Sequence, residues 1–294
     1  MRRRLDTELV RRGLAPSREA ARALVTRGVV LVGGAAADKP ARLVAAADPV
    51  VVLDEASRRF VSRGGEKLDA ALSTFALDVM ECRCLDAGAS TGGFTDCLLR
   101  RGAASVLAID VGHGQFDASL RTHPGVTVLE RADIRALRSV AGAGAGPFDV
   151  VVADLSFISL VSVAPVLLSP PVAPGAQVVV LVKPQFESGR VEASRGRGVI
   201  RRPELRRAAL ERVASALASH GASIMGAMAS PLLGPAGNAE FFLHVRAPAG
   251  PAPAPDRSPA LGPDGPLPEA WARTLDAAVA AAPDAASDDA PVQE

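Results

Sequence analysis

Four residues of opposite charge stand where apolar runs begin or end: Lys67 in GGEKLDAAL, Asp154 in VVADLSF, Lys183 in LVKPQFE and Glu240 in GNAEFFLHV. A lysine directly after an apolar run is costly to bury unless a partner offsets its charge. Two lysines and two carboxylates around one pocket would offset one another and would lower a lysine's proton affinity, an arrangement suited to proton transfer.

A second cluster lies in CLDAGASTGGFTDCLLRRG, residues 84–102, where an apolar run ends in an acid and a glycine-rich loop leads into a helix. A triphosphate loop needs a lysine after its glycines, and here Phe94 follows Gly92 and Gly93. A dinucleotide turn wants GxGxxG, but the order is Asp86, Gly88, Ser90, Gly92, Gly93, so an acidic DxG stands in for the first GxG. A carboxylate there meets a pyrophosphate poorly. It suits an ammonium and a sulfonium, while the glycines let the backbone approach the ligand, so S-adenosylmethionine is the expected cofactor of Asp86, Gly88, Ser90, Gly92, Gly93 and Phe94. Asp110 closes the next apolar run, placed to accept both ribose hydroxyls. Asp133 follows the third run, placed to accept from an adenine amino group with Ile134 beside the ring. Each acid alone reads equally well as a helix cap or a solvated group; three at successive strand ends favour the ligand. His113, His123, His220 and His244 show no ligand spacing, and no metal is expected.

The elements that must position these residues follow from periodicity. RCLDAG, SVLAIDVG, VTVLE, FDVVVADLS, QVVVLVKP and EFFLHV are short β-rich runs separated by helix-length segments. The pattern predicts an α/β, Rossmann-like body over residues 64–246, a parallel doubly wound sheet with ligands beyond the carboxyl ends of its strands. A helix is expected over Glu66–Phe75, after the Gly64–Gly65 pair. The segment from Leu160 to Val182 carries no charge, but Pro165, Pro170, Pro171 and Pro174 interrupt it. A helix and a buried strand are expected there, and no membrane span.

Charge divides the chain further. Residues 1–67 hold 14 Lys/Arg against 8 Asp/Glu, whereas residues 247–294 hold 2 against 8. The basic head, residues 1–57, is where a polyanion would land. Leu5, Leu9 and Val10 mark one helix, and Pro16 and Ser17 restart a second carrying Ala20, Ala21, Leu24 and Val25. Gly28 ends it, and VVLV makes a strand into the Gly33–Gly34 turn. Arg11, Arg12, Arg18, Arg22 and Arg27 decorate this unit, either as a solvated face or as an RNA interface. With aromatic residues at 3% and no Tyr, recognition by shape and phosphate is favoured over base stacking. Residues 58–63 read as a linker whose basic residues either simply solvate it or, for Arg59 and Arg63, join the RNA-facing set. The tail, residues 247–294, holds 10 of the 23 prolines and is expected to be disordered apart from a short helix at Glu269–Ala282 around Trp271. Three scattered cysteines and a basic start with no apolar stretch after it fit the cytoplasm.

The pattern RLD, SR, then a GVVLVG strand resembles the S4-type RNA-binding fold, here an N-terminal α+β domain. Lys67, Asp154, Lys183 and Glu240 resemble the K-D-K-E set of FtsJ-like ribose 2'-O-methyltransferases. Together with SRGGEKL, DAGASTGGFTDCLL, ADLSFISL and LVKPQFE, residues 3–245 resemble the TlyA family, whose older label is hemolysin. The resemblance implies methyl transfer to cytidine ribose in 16S and 23S ribosomal RNA, with ribosomal subunits as partners. It implies Lys183, made less basic by its neighbours, as the base for the 2'-hydroxyl. Lys67 would stabilise charge on oxygen, with Asp154 and Glu240 orienting both. It also implies RNA contacts from Arg3, Arg4, Arg11, Arg18, Arg22, Arg59 and Arg63. The chain departs from the family at RRFV in the linker, and the basic segment 188–202 is expected to form a mobile RNA-facing loop or, equally, a plain solvated one. A membrane-active hemolysin and a non-catalytic RNA-binding or ribosome-assembly factor are the competing readings.

Overall fold

The helical spacing of Leu5, Leu9, Ala21 and Val25 is realised in the computed structural model, which describes residues 2–26, 28–37, 39–53, 59–140, 146–188, 198–250 and 268–283. They lie on α1 (Leu5–Arg11) and α2 (Arg18–Thr26) and are buried together with Val29, Val30 and Val44 as the core of the head. Ser17 Oγ accepts from Ala20 N at 3.1 Å, satisfying one of the free amides where the chain restarts after Pro16. Among the described residues five short strands complete the head: β1 (Arg2–Arg4), β2 (Val30–Val32), β3 (Ala35–Ala36), β4 (Leu43–Ala45) and β5 (Val50–Val52). β1 pairs with β4, and β2 lies between β3 and β5, all antiparallel.

What reads as a linker is packed on the body. Phe60 is 3% exposed within the core cluster of Leu68, Phe94, Cys97 and Leu98, and Val61 N donates to Asp96 Oδ2 at 2.8 Å. The guanidinium groups of Arg59 and Arg100 lie 5.1 and 5.8 Å from the Phe60 ring centroid. A phenylalanine buried this far contributes about 1.5–3 kcal/mol, enough to hold a short segment in place. Arg58 lies outside the described residues.

The helix expected from Glu66 begins earlier, as α3 (Arg63–Thr74), and takes Gly64 and Gly65 into its first turn. Close packing explains this: a Cβ on Gly65 would collide with the Phe60 ring and come within 2.9 Å of the Gly93 carbonyl. The bare glycines let α3 seat against the loop that opens the next helix.

The body continues with β6 (Arg83–Ala87), α4 (Gly93–Arg100), β7 (Ser105–Asp110), α5 (Ala118–Arg121), β8 (Val126–Glu130), α6 (Leu137–Val140), β9 (Phe148–Ala153) and α7 (Leu160–Leu167). It ends with β10 (Val172–Val182), α8 (Pro184–Glu187), α9 (Pro203–Ser219), β11 (Ser223–Ala229) and β12 (Phe241–Arg246). The seven strands are ordered β11-β12-β10-β9-β6-β7-β8. Those from β10 to β8 are mutually parallel, while β12 runs antiparallel to both β10 and β11. The sheet is thus Rossmann-like and mostly parallel, one strand larger than the sequence pattern suggests. β11, SIMGAMA, escapes notice because its small residues and mid-strand Gly226 give no β-rich run.

The uncharged stretch 160–182 divides into α7 and β10, and no described helix is long and apolar enough to cross a membrane. In the tail, α10 (Glu269–Ala280) buries Leu275 and Ala278 in the main core, and Arg207 Nε meets Asp276 Oδ1 at 2.6 Å.

Candidate active site

The strand order turns back at β6: β7 and β8 extend one way and β9 the other, so the switch point lies between β6 and β9. Ligands of open α/β sheets bind in the crevice beyond the carboxyl ends at such a point. The backbone is closely packed here. Asp154 N donates to Ala87 O at 2.9 Å, and Gly88, at φ +84°, leaves no room for a side chain because a Cβ would come 2.5 Å from the Asp154 carbonyl.

All four charged residues meet at this edge. Asp154 follows β9 and Lys183 follows β10. Glu240 precedes β12, but β12 is antiparallel to β10 and pairs Phe241 with Val182, so its beginning lies beside the end of β10. Lys67 enters from α3. They form two ion pairs, Lys67 Nζ with Glu240 Oε2 at 2.6 Å and Lys183 Nζ with Asp154 Oδ1 at 2.6 Å, around one cleft of about 220 Å3. Lys183 Nζ also donates to Ser156 Oγ at 2.8 Å.

One expectation is corrected by this geometry. Burial favours the neutral amine of Lys183, but the charges of Asp154 and Glu240 and the Asp154 hydrogen bond outweigh it, so the lysine is held above its ordinary value. In the free protein Lys183 is an ammonium, more basic than usual rather than less.

Beside the cleft lies a cavity of about 630 Å3, lined by Gly88, Ser90, Asp110, Asp133, Ile134 and Asp154 among others. That is the size range of small-molecule sites. Asp110 Oδ2 accepts from Ser90 N at 2.8 Å and Oδ1 from Gly112 N at 2.6 Å, which fixes the loop and the carboxylate together. Asp133 carries the Arg135 guanidinium, with Oδ1 accepting from Arg135 Nε at 3.0 Å, and this neighbour lowers its pKa.

Four of the expected loop residues do not line this cavity, and of these Gly93 lines the smaller cleft instead. Asp86 is fully buried beneath the cavity, accepting from Thr95 Oγ1 at 2.6 Å, and its Oδ1 has no hydrogen-bond partner among the described residues. Burial pushes its pKa up to about 7. Gly92, at φ +92°, packs toward Leu120 and Phe116, and Phe94 sits in the core against Phe242, touching only the smaller cleft. An unpartnered buried carboxylate oxygen under a glycine-lined cavity fits a ligand with a cationic end.

The head arginines are held by two buried acids. Asp6 binds Arg4, Arg18 and Arg22, while Glu8 binds Arg11 and Arg12 and lies 4.0 Å from Arg3. Arg12 is committed elsewhere in the head, donating to the carbonyls of Ala45, Ala46 and Asp48. Arg59 pairs with Asp69 at 2.6 Å, and Arg63 donates to Leu233 O at 3.4 Å in the tetrad cleft. Arg27 and residues 189–197 of the expected basic loop lie outside the described residues.

Sequence reasoning missed three residues at the site. Ser156 bonds Lys183. Phe157 is 92% exposed with φ +66°, a strained conformation for an aromatic residue, and lines the cavity. Glu187, 3% exposed, accepts from Ser159 Oγ at 2.5 Å and from Leu160 N at 2.8 Å, tying α8 to the start of α7. The segment 154–159 is therefore held at one end by Lys183 and at the other by Glu187. The presence of Ser, Phe and Glu beside the motifs was visible, but none carried a pattern that told its direction.

Fold and site define a methyltransferase of the FtsJ-like class. Residues 60–247 match the FtsJ-like methyltransferase family and residues 3–50 the S4 domain. The chain is 49% identical over 245 residues to the 16S/23S rRNA (cytidine-2'-O)-methyltransferase TlyA of Mycobacterium tuberculosis, covering 83% of this chain and 90% of that one. It is 36% identical to Hemolysin A of Brachyspira hyodysenteriae, over 82% of this chain and 98% of the relative. A solved structure described as a hemolysin, from Streptococcus thermophilus, superposes with a TM-score of 0.65 at 36% identity, over 85% of this chain and 90% of that one. The chain belongs to the TlyA family.

Proposed function

We propose that this chain transfers a methyl group from S-adenosylmethionine to the 2'-hydroxyl of cytidine ribose in ribosomal RNA of the 16S type, the 23S type or both, acting on ribosomal subunits in the cytoplasm. The observation that carries the reading is the pair of lysine–carboxylate bridges sharing one cleft beside the 630 Å3 cavity at the switch point.

S-adenosylmethionine, when bound, supplies a methyl group already activated for transfer. Asp86, Gly88, Ser90, Asp110, Asp133 and Ile134 are the residues that would hold it, Asp86 by its charge beneath the loop. Lys183 and Lys67 receive the ribose hydroxyl, and Asp154 and Glu240 hold the two ammonium groups in place. Lys183 must first lose its own proton to accept that of the hydroxyl. Lys67 then stabilises charge on the oxygen. What remains is alignment of the acceptor, which the fixed segment 154–159 assists. Phe157, exposed at the cavity, offers a face on which the target base can stack.

Purified chain, methyl-labelled S-adenosylmethionine and ribosomal subunits test the reading. The expected product is labelled cytidine joined to its 3' neighbour by a bond that alkali does not cleave, because the 2'-oxygen is blocked. Label released as an ordinary base-methylated mononucleotide would refute it.

A further inference from the structure

Asp6 takes no part in the chemistry, yet among the described residues it is the head's least accessible charged group, 0% exposed at the start of α1. Arg4 grips it as a fork, Nε on Oδ1 at 3.1 Å and Nη2 on Oδ2 at 2.8 Å. Arg18 Nη2 and Arg22 Nε reach the same Oδ2 at 3.3 and 3.4 Å, and Thr7 Oγ1 donates to Oδ1 at 3.2 Å. Five donors saturate a carboxylate, which has about four acceptor sites. Among the described residues Arg18 and Arg22 each commit one N–H group and keep the rest, with side chains 55% and 58% exposed. One buried negative charge thus gathers three guanidinium groups and leaves a surplus of two positive charges facing water.

We infer that Asp6 is a positioning residue of the RNA interface: it fans Arg4, Arg18 and Arg22 into a preformed receptor for the phosphates of a structured RNA. The inference rests on the reading of the head as RNA-binding. Ordering three long side chains in the free protein removes an entropy loss that RNA would otherwise impose on binding. Simple charge counting gives the opposite sign, since deleting a negative charge from a polyanion-binding face should tighten binding. The two accounts therefore part at a single atom.

The test uses the full chain and ribosomal RNA, with affinity measured over a series of salt concentrations. Asp6→Asn is expected to bind about tenfold more weakly, with the slope of log affinity against log salt shallower by about one because fewer phosphates are neutralised. Glu19→Gln, which removes an exposed acid from the same helix pair, is expected to bind as well as the parent or up to about twofold tighter. Equal or tighter binding by Asp6→Asn, with its melting curve intact, would overturn the inference. A second measurement needs no variant: the Nε–Hε signals of Arg4 and Arg22 in the free protein should be resolved and slow to exchange, and their collapse into the free-arginine envelope would also overturn it. The double substitution Arg18→Ala, Arg22→Ala separates the two levels. If it binds RNA like the parent, the head is not the RNA interface; if it weakens binding while Asp6→Asn does not, only the positioning role fails.

Discussion

Head and body both bury carboxylates against basic side chains, but in opposite proportions. In the head, Asp6 and Glu8 each serve several arginines, so positive charge is left over and turned outward. The Arg4 guanidinium, with Arg18 and Arg22 beside it, holds Asp6 well below the carboxylate range, and Arg11 and Arg12 do the same for Glu8. In the body, Asp154 and Glu240 each pair with one lysine, and the four charges balance inside a cleft. Surplus charge on exposed arginines suits attraction of a polyanion; balanced charge on enclosed lysines suits holding one hydroxyl. The same pairing chemistry thus gives binding at one end and a reaction site at the other.

Breaking the balanced site should have the largest effect. Lys183→Ala is expected to lower the single-turnover rate of methyl transfer at least about a thousandfold, about 4 kcal/mol in barrier, while RNA affinity stays within about twofold. Lys183→Arg should not restore the rate, because a guanidinium does not give up its proton. Next comes Glu240→Ala, which strands the nine-tenths-buried Lys67 and should cost about 3–5 kcal/mol in urea unfolding. Glu8→Ala in the head should cost a small fraction of that, since Arg11 can turn to water and Arg12 keeps its bonds to the carbonyls of Ala45, Ala46 and Asp48. Equal losses at the two sites would erase the distinction between them.

Two pH profiles sharpen the comparison. Lys183 has a raised pKa and must be neutral to accept a proton, so kcat/KM should climb about tenfold per pH unit from pH 7 to 9 without levelling. A plateau below pH 8 would mean that the carboxylates do not dominate. Asp86 titrates near 7 and must be charged to attract a cationic ligand, so S-adenosylmethionine affinity should rise with pH, by up to about tenfold between pH 6 and 8. The smallest effect is expected from Glu187→Gln. The amide still accepts from Leu160 N and can donate to Ser159, and kcat should fall less than about threefold, against tenfold or more for Glu187→Ala.

Much of this was legible in the sequence because parallel strands end on one edge. Acids and lysines after successive apolar runs, at 86, 110, 154 and 183, are brought together by topology alone. Glu240 belongs there only because its strand runs backwards, a point that apolar runs do not encode. The basicity of Lys183 was read with the wrong sign: burial was weighed, but Lys67 is taken up by Glu240, and Asp154 is left to favour the charged amine. Phe157 and Glu187 were hidden because exposure and strain at one, and a contact between separate segments at the other, have no periodicity. Asp6 looked like one more charge on a helix, since sequence does not show that three arginines converge on it. The linker misled for a related reason: Phe60 lies among polar residues, and only the fold buries it.

The central claim is that the Lys183 site methylates cytidine ribose in ribosomal RNA. Its most direct test is mass mapping of ribose-methylated nucleotides in 16S and 23S RNA from cells lacking this chain, then supplied with the parent or with Lys183→Ala. One or more 2'-O-methylcytidines should vanish without the chain, return with the parent and stay absent with the variant. Unchanged ribose methylation in the cells lacking the chain, or its full return with Lys183→Ala, would contradict the account.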